Sequence, residues 1–305
     1  MHNKSLMGGK LGAYSSLIFV IFIWGVSPLI TIHLQTYFSP TIRIAMGAFF
    51  SAISMLLISI KHLNLLNKQY FKIAIPTGLC LAAADISQKV GLTYYESPSH
   101  YAFLENLSVV VVPVLLFILI KKKPNILTII SAVLCLASCF ILTGMLTSGA
   151  TFNLLGDTLF ALAGIFYGVN IAVTGIHAKN LFVPIYLAIQ IATEAIISFF
   201  AAIAFDLTDI EPMRFTFQVA PILMNVGFVL VSLTLGWLIR TWAMKKVDAT
   251  VVAVMMPFSA TVTVIASIAM GKETLSLELI VGAVLGLVAI ILSGLGDKEP
   301  KKKKV

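Results

Sequence analysis

Ten apolar blocks, each close to the length of a bilayer-spanning helix, occupy almost all of this 305-residue chain. They fall at 13–33, 41–60, 73–95, 99–120, 125–146, 155–175, 182–204, 218–239, 249–270 and 277–296, joined by short polar segments. A hydrocarbon core about 30 Å thick takes roughly 20 apolar residues in a helix to cross. Charged residues make up only 11% of the chain, where a soluble domain carries about 25%; the mean hydropathy is +1.01. The expected fold class is an all-α integral membrane protein of ten transmembrane helices. Too little chain lies outside the blocks for a separate soluble catalytic domain.

A net charge of +8 and a pI near 9.4 would suit a nucleic-acid binder, but the placement of the charges speaks against one. With ten spans and the N-terminus inside, 17 of the 21 Lys and Arg fall in cytoplasmic segments. Only Lys89, Arg214 and Lys272 fall outside, and Arg43 lies within a span. Short basic loops resist translocation, so both termini are expected in the cytoplasm of a plasma-membrane protein. The tail Lys301–Lys304 fits the same rule and attracts anionic lipid. The N-terminal apolar run is too long for a signal core and lacks a small-residue cleavage site, so it is expected to stay as the first helix. Cys80, Cys135 and Cys139 lie inside apolar blocks and read as small packing residues, without a disulfide framework or a metal site.

The chain also repeats. Ala132-Val133-Leu134-Cys135-Leu136 matches Ala283-Val284-Leu285-Gly286-Leu287, Pro76 matches Pro221, Trp24-Gly25 matches Tyr167-Gly168, and Gly144 matches Gly294. The matches keep their order, which indicates two five-helix units, 13–146 and 155–296, followed by the basic tail 297–305. Five is odd, so the second unit enters the membrane from the opposite side. Inverted repeats of this kind suit secondary transporters, whose halves rock about a site near the midplane.

Several runs resemble the EamA branch of the drug/metabolite transporter superfamily. Trp24-Gly25-Val26-Ser27-Pro28 is similar to its first-helix signature. Gly91-Leu92-Thr93-Tyr94-Tyr95 through Phe103-Leu104, with Val111-Val112-Pro113-Val114, resembles its third and fourth helices; Gly156-Asp157 and Pro257 with Gly271-Lys272-Glu273 resemble the second repeat. The resemblance implies ten helices in two EamA repeats and movement of small metabolites, often driven by ion gradients or exchange. Two departures stand out. Lys121-Lys122-Lys123-Pro124 ends the fourth helix where the family often has a glutamate, and Met256 precedes Pro257 where an acidic residue is common.

An ionisable side chain inside hydrocarbon is costly and normally faces a cavity or a partner. Asp85 and Lys89 are four apart on one face of the third helix, with Gln88 beside them, so they either neutralise each other or face a cavity and bind a zwitterion. Glu105 and Asn106 lie about 9 Å inside the outer end of the fourth helix, at ~1.5 Å per residue. A Glu105 pair with Lys89 or Arg43 would be either an outer gate or a static bridge. Glu194 sits mid-helix with Gln190 one turn away. Burial favours the neutral acid, so Glu194 either takes up a proton or simply hydrogen-bonds between helices. Arg43, in the first turn of the second helix, either snorkels to headgroups or meets substrate. Trp24, Tyr167 and Asn170 should line the interface between halves, whereas Trp237, Arg240 and Trp242 are expected as anchors at the cytoplasmic end.

Pro28, Pro113 and Pro257 are hinge candidates or simple bends, and Met255 and Met256 offer a soft apolar wall. Asp206, Asp209 and Glu211 are expected to be solvated in an outer loop. No nucleotide, HExxH or nucleophile motif occurs, and no cofactor is implied. The expected partners are a small-molecule substrate, a proton or exchange substrate, and membrane lipid; monomer and homodimer both stay open. The favoured expectation is a secondary transporter, an exporter of an amino-acid-like or amphipathic metabolite. An integral membrane enzyme using Asp85, Glu105 and His100, or a membrane scaffold, are the alternatives.

Overall fold

A computed structural model describes residues 9–91, 94, 102–142, 153–271 and 275–296. His100, Gly144, Lys272, Glu273, the motif residues Leu92, Thr93 and Tyr95, and the segment 297–305 lie outside the described residues. Among the described residues all regular structure is helical.

The helices are α1 (Lys10–Leu34), α2 (Pro40–Ser59), α3 (Lys68–Gly91), α4 (Ala102–Glu105), α5 (Ser108–Ile120), α6 (Ile126–Leu142) and α7 (Leu154–His177). They continue as α8 (Val183–Leu207), α9 (Val219–Val229), α10 (Gly236–Ala243), α11 (Ala249–Met255), α12 (Phe258–Ala269) and α13 (Leu277–Gly296). A π-helical turn, Leu230–Leu235, joins α9 to α10 in one rod. Local chemistry explains several ends. Pro40 opens α2, where its missing N–H costs nothing. The Asn153 side chain caps α7 by accepting from the Leu155 and Gly156 amides. Asp248 caps α11 by accepting from the Thr250 amide and also pairs with Lys122.

Among the described residues seven stretches are long and apolar enough to cross a bilayer: Lys10–Leu34, Pro40–Leu65, Leu154–Asn180, Val183–Leu207, Val219–Ala243, Ala249–Ala269 and Leu277–Gly296. The chain is a multi-pass membrane protein. Three other blocks differ from them for separate reasons. At 24 residues α3 is long enough, but it carries Lys68, Lys72, Asp85 and Lys89. The fourth block is not one helix, because it breaks at Asn106 and Leu107 between α4 and α5. The described part of the fifth is the 17-residue α6.

Lipid-facing and packed surfaces separate cleanly on α1, where Phe19, Phe22 and Val26 are exposed while Leu17, Ile21 and Leu34 are buried. Lipid gives no hydrophobic drive between helices, so close contact depends on small residues. Gly25 of α1 lies where a Cβ would come 2.8 Å from the Ser259 carbonyl of α12 and against Val262. Gly168 of α7 lies the same way against Val111 and Ser108 of α5. The main helix pairs are α2 with α8, α6 with α13, α3 with α7 and α8, and α1 with α10 and α12.

The loop after α8 is not the freely solvated segment its three acids suggest. Glu211 is buried, and its Oε1 accepts from the Thr41 amide at 3.0 Å and the Thr41 hydroxyl at 2.9 Å. A carboxylate there satisfies an N-terminal amide of α2 and meets the positive end of the helix dipole. The Ser39 amide donates to the Arg214 carbonyl at 2.9 Å, so the loop is clamped to the α1–α2 turn.

Candidate functional site

A cavity of about 470 Å³ lies among α1, α2, α3, α7, α8, the π-helical turn and α12. Both halves of the chain line it, and the volume falls in the range of about 300–1,000 Å³ usual for small-molecule sites.

The charges of α3 face this space. Asp85, Gln88 and Lys89 occupy successive positions on its last turns, and all three line the cavity. Asp85 does not pair with Lys89. Its Oδ1 accepts instead from the Tyr167 hydroxyl at 2.8 Å. Gln88 holds the two remaining charges together: its Nε2 donates to Glu105 Oε1 at 2.6 Å, and its Oε1 accepts from Lys89. Glu105 is therefore tied to Lys89 through an amide rather than by direct contact. Asn106 follows it at the helix break, lines the cavity and donates to Cys139 Sγ.

Helices α3 and α8 run side by side in a register that pairs Thr77 with Tyr186 (hydroxyls 2.9 Å apart). Eight residues further along each helix, Asp85 and Glu194 both line the cavity and lie close enough to interact electrostatically. Glu194 is buried and its Oε2 has no hydrogen-bond partner among the described residues. Gln190 lies behind the wall rather than on it, and its Nε2 donates to the Tyr186 hydroxyl at 2.9 Å. Arg43 is buried on the cavity wall, which is not the geometry of a headgroup-seeking side chain.

Trp24 lines the cavity and donates from its indole to the Ser232 carbonyl of the π-helical turn at 2.9 Å. Of the three hinge candidates, Pro28 lines the cavity within an unbroken α1. Pro113 lies inside an unbroken α5. Only Pro257 coincides with a break, between α11 and α12. Met256 beside it lines the cavity, while Met255 is packed in the core.

Arg240 departs most from expectation. Counting along the sequence puts it with Trp237 at a helix end, as an anchor. It is instead buried and lines the cavity. Its Nη2 donates to Asn170 Oδ1 at 2.9 Å, and its Cζ lies 3.8 Å from the Trp237 ring centre and 5.7 Å from that of Trp24. Asn170 is fully buried behind the wall, held by donating to the Thr77 carbonyl at 3.0 Å. A π-helical turn shifts the register of everything after it, and such turns gather at functional sites. Trp237 at i−3 on the same helix face was the available signal.

Residues 154–295 match the family model described as the EamA-like transporter family. The matched EamA residues run from α7 to α13 and supply Tyr167, Glu194, Trp237 and Arg240 to the cavity. A solved structure described only as a crystal structure of a protein aligns with a TM-score of 0.77 at 14% identity, over 94% of this chain and 97% of that one. It shares the fold across both halves. No curated protein matches the sequence.

Proposed function

We propose that the chain is a secondary active transporter of a small organic metabolite, working by alternating access between two inverted five-helix EamA repeats. The first repeat spans 13–146 and the second 155–296. Ten crossings put both termini in the cytoplasm, in the plasma membrane, as the positive-inside pattern favours. The solute is amino-acid-like or amphipathic and is exported, with coupling to a proton or by exchange.

What supports this reading is a set of contacts around the charged cavity that recur at corresponding positions of the two proposed repeats. Gly25 against Ser259 and Val262 answers to Gly168 against Ser108 and Val111. The packing of α3 on α7 answers to that of α10 on α1. The break at Asn106–Leu107 answers to that at Met256–Pro257. Symmetry-related packing gives two arrangements of nearly equal energy, which alternating access needs.

Flux tests the proposal. Proteoliposomes are incubated with a cell-extract metabolite mixture, and lumen and medium are compared by mass spectrometry. The expected result is saturable entry of at least one solute, chemically unchanged, that is absent from protein-free vesicles. Conversion of a solute without net movement would replace transport by catalysis.

A further inference from the structure

We infer that Arg240, packed against Trp237 and beside Trp24, is the recognition point for a carboxylate on the substrate; this deepens the transport reading and rests on it only for what the cavity is for. The guanidinium is buried, yet no carboxylate among the described residues pairs with it. Among the described residues its polar contact is the neutral Asn170 oxygen, and its Nε has no hydrogen-bond partner there. The three acids on the cavity are placed elsewhere: Asp85 bonds to Tyr167 and Glu105 to Gln88, and Glu194 lies near Asp85. A buried charge left without a counter-charge is strongly unfavourable, so the missing partner is an anion that arrives with the solute.

The shape of the site selects among anions. A guanidinium presents a planar fork that matches a carboxylate through two parallel hydrogen bonds. The Asn170 bond occupies one side of that fork. Indole faces hold the plane of the guanidinium and add apolar walls for the body of the solute. Arg43, Lys89 and Arg240 line the cavity with Asp85, Glu105 and Glu194, and three cations balanced by three acids favour a monoanion over a phosphate dianion. Tyr167 lies three residues before Asn170 on α7, so the Asp85–Tyr167 pair is one helical turn away from the Arg240–Asn170 pair. That spacing suits an ammonium at Asp85 and a carboxylate at Arg240, the two ends of an α-amino acid.

Binding in detergent tests this without any requirement for flux. The chain has three tryptophans; Trp242→Phe leaves the two that flank Arg240 as fluorescent reporters. The probes are L-phenylalanine, 3-phenylpropanoate, 3-phenylpropanamide, 2-phenylethylamine and phenyl phosphate. Saturable fluorescence changes are expected with the first two, and affinity for the amide at least about tenfold weaker, the usual worth of a charge-assisted hydrogen bond. Arg240→Lys should weaken 3-phenylpropanoate by about tenfold, since a point charge cannot reproduce the fork, and Arg240→Gln should abolish its binding. Asn170→Asp keeps the guanidinium but supplies a competing carboxylate, and is expected to lose binding as well; it serves where the Arg240 variants do not fold.

Equal affinity for amide and carboxylate, unchanged affinity in folded variants, or no response to either carboxylate would overturn the assignment. Tighter binding of phenyl phosphate would give the site to a phosphate monoester or a lipid headgroup and overturn it too. Carboxylate binding without flux of any solute would count against transport alone.

Discussion

Glu194→Gln is expected to abolish solute accumulation driven by an imposed pH gradient while leaving solute exchange at equal pH intact. A gradient of one pH unit supports at most about a tenfold accumulation per coupled proton, and the variant should lose that whole factor. The reason is geometric. Glu194 is buried, lines the cavity with Asp85 beside the α3–α8 contact, and has one oxygen without a hydrogen-bond partner among the described residues. Burial favours the neutral form of a carboxyl, which makes Glu194 the proton carrier in the proposed coupling. Around Glu194 and Asp85 stand Lys89 from α3, Arg43 from α2, Tyr167 from α7 and Glu105 from α4. Asp85→Asn should act in the same direction and also free the Tyr167 hydroxyl. Gradient-driven accumulation that survives in both variants would exclude the pair as the coupling site and leave exchange as the driving process.

The second large effect concerns how α3 and α8 are brought close enough for that pairing. A Cβ on Gly78 would lie 2.5 Å from the Gln190 carbonyl oxygen and 2.8 Å from the Thr193 Cβ. Neither neighbour is a flexible side-chain end, so Gly78→Ala must push the helices apart. Overpacking of this kind costs about 1–3 kcal/mol. Gly227 of α9 is the internal comparison, because a Cβ there meets nothing within 4 Å. Gly227→Ala should be neutral or stabilising by roughly 0.5–1 kcal/mol, the helix-propensity gain. Thermal unfolding in detergent should therefore separate the two substitutions in opposite directions. Equal midpoints would mean that the α3–α8 contact is loose, and the Asp85–Glu194 register would lose its support.

Much of the helical layout was legible in the apolar blocks, because lipid admits few alternatives to a helix. The break before Ser108 was not. It falls at Asn106–Leu107, whereas the prolines drew attention to Pro113, inside a continuous helix. Glu211 was misread because loop acids normally face water, and nothing local shows that this loop folds back onto the start of α2. The co-location of Trp24, Arg43, Asp85, Gln88, Lys89, Glu105, Asn106, Tyr167 and Glu194 on one cavity followed a simple rule, that polar groups inside apolar blocks turn inward. Arg240 escaped that rule because distance along the chain put it at a helix end. The π-helical turn and the pull of two indoles and an amide bring it to the cavity, and these are tertiary facts.

Topology tests the central claim most directly. Seven crossings, the number of long apolar stretches among the described residues, would put the two ends of the chain on opposite faces; ten put them together. Single cysteines at Ser5→Cys, Ser148→Cys and Lys298→Cys, in a background lacking Cys80, Cys135 and Cys139, can be labelled with a membrane-impermeant maleimide in intact cells and again after permeabilisation. Two inverted five-helix units predict labelling of position 148 in intact cells, and of positions 5 and 298 only after permeabilisation. Labelling of just one terminus from outside would contradict the inverted pair, and with it the transport mechanism built upon it.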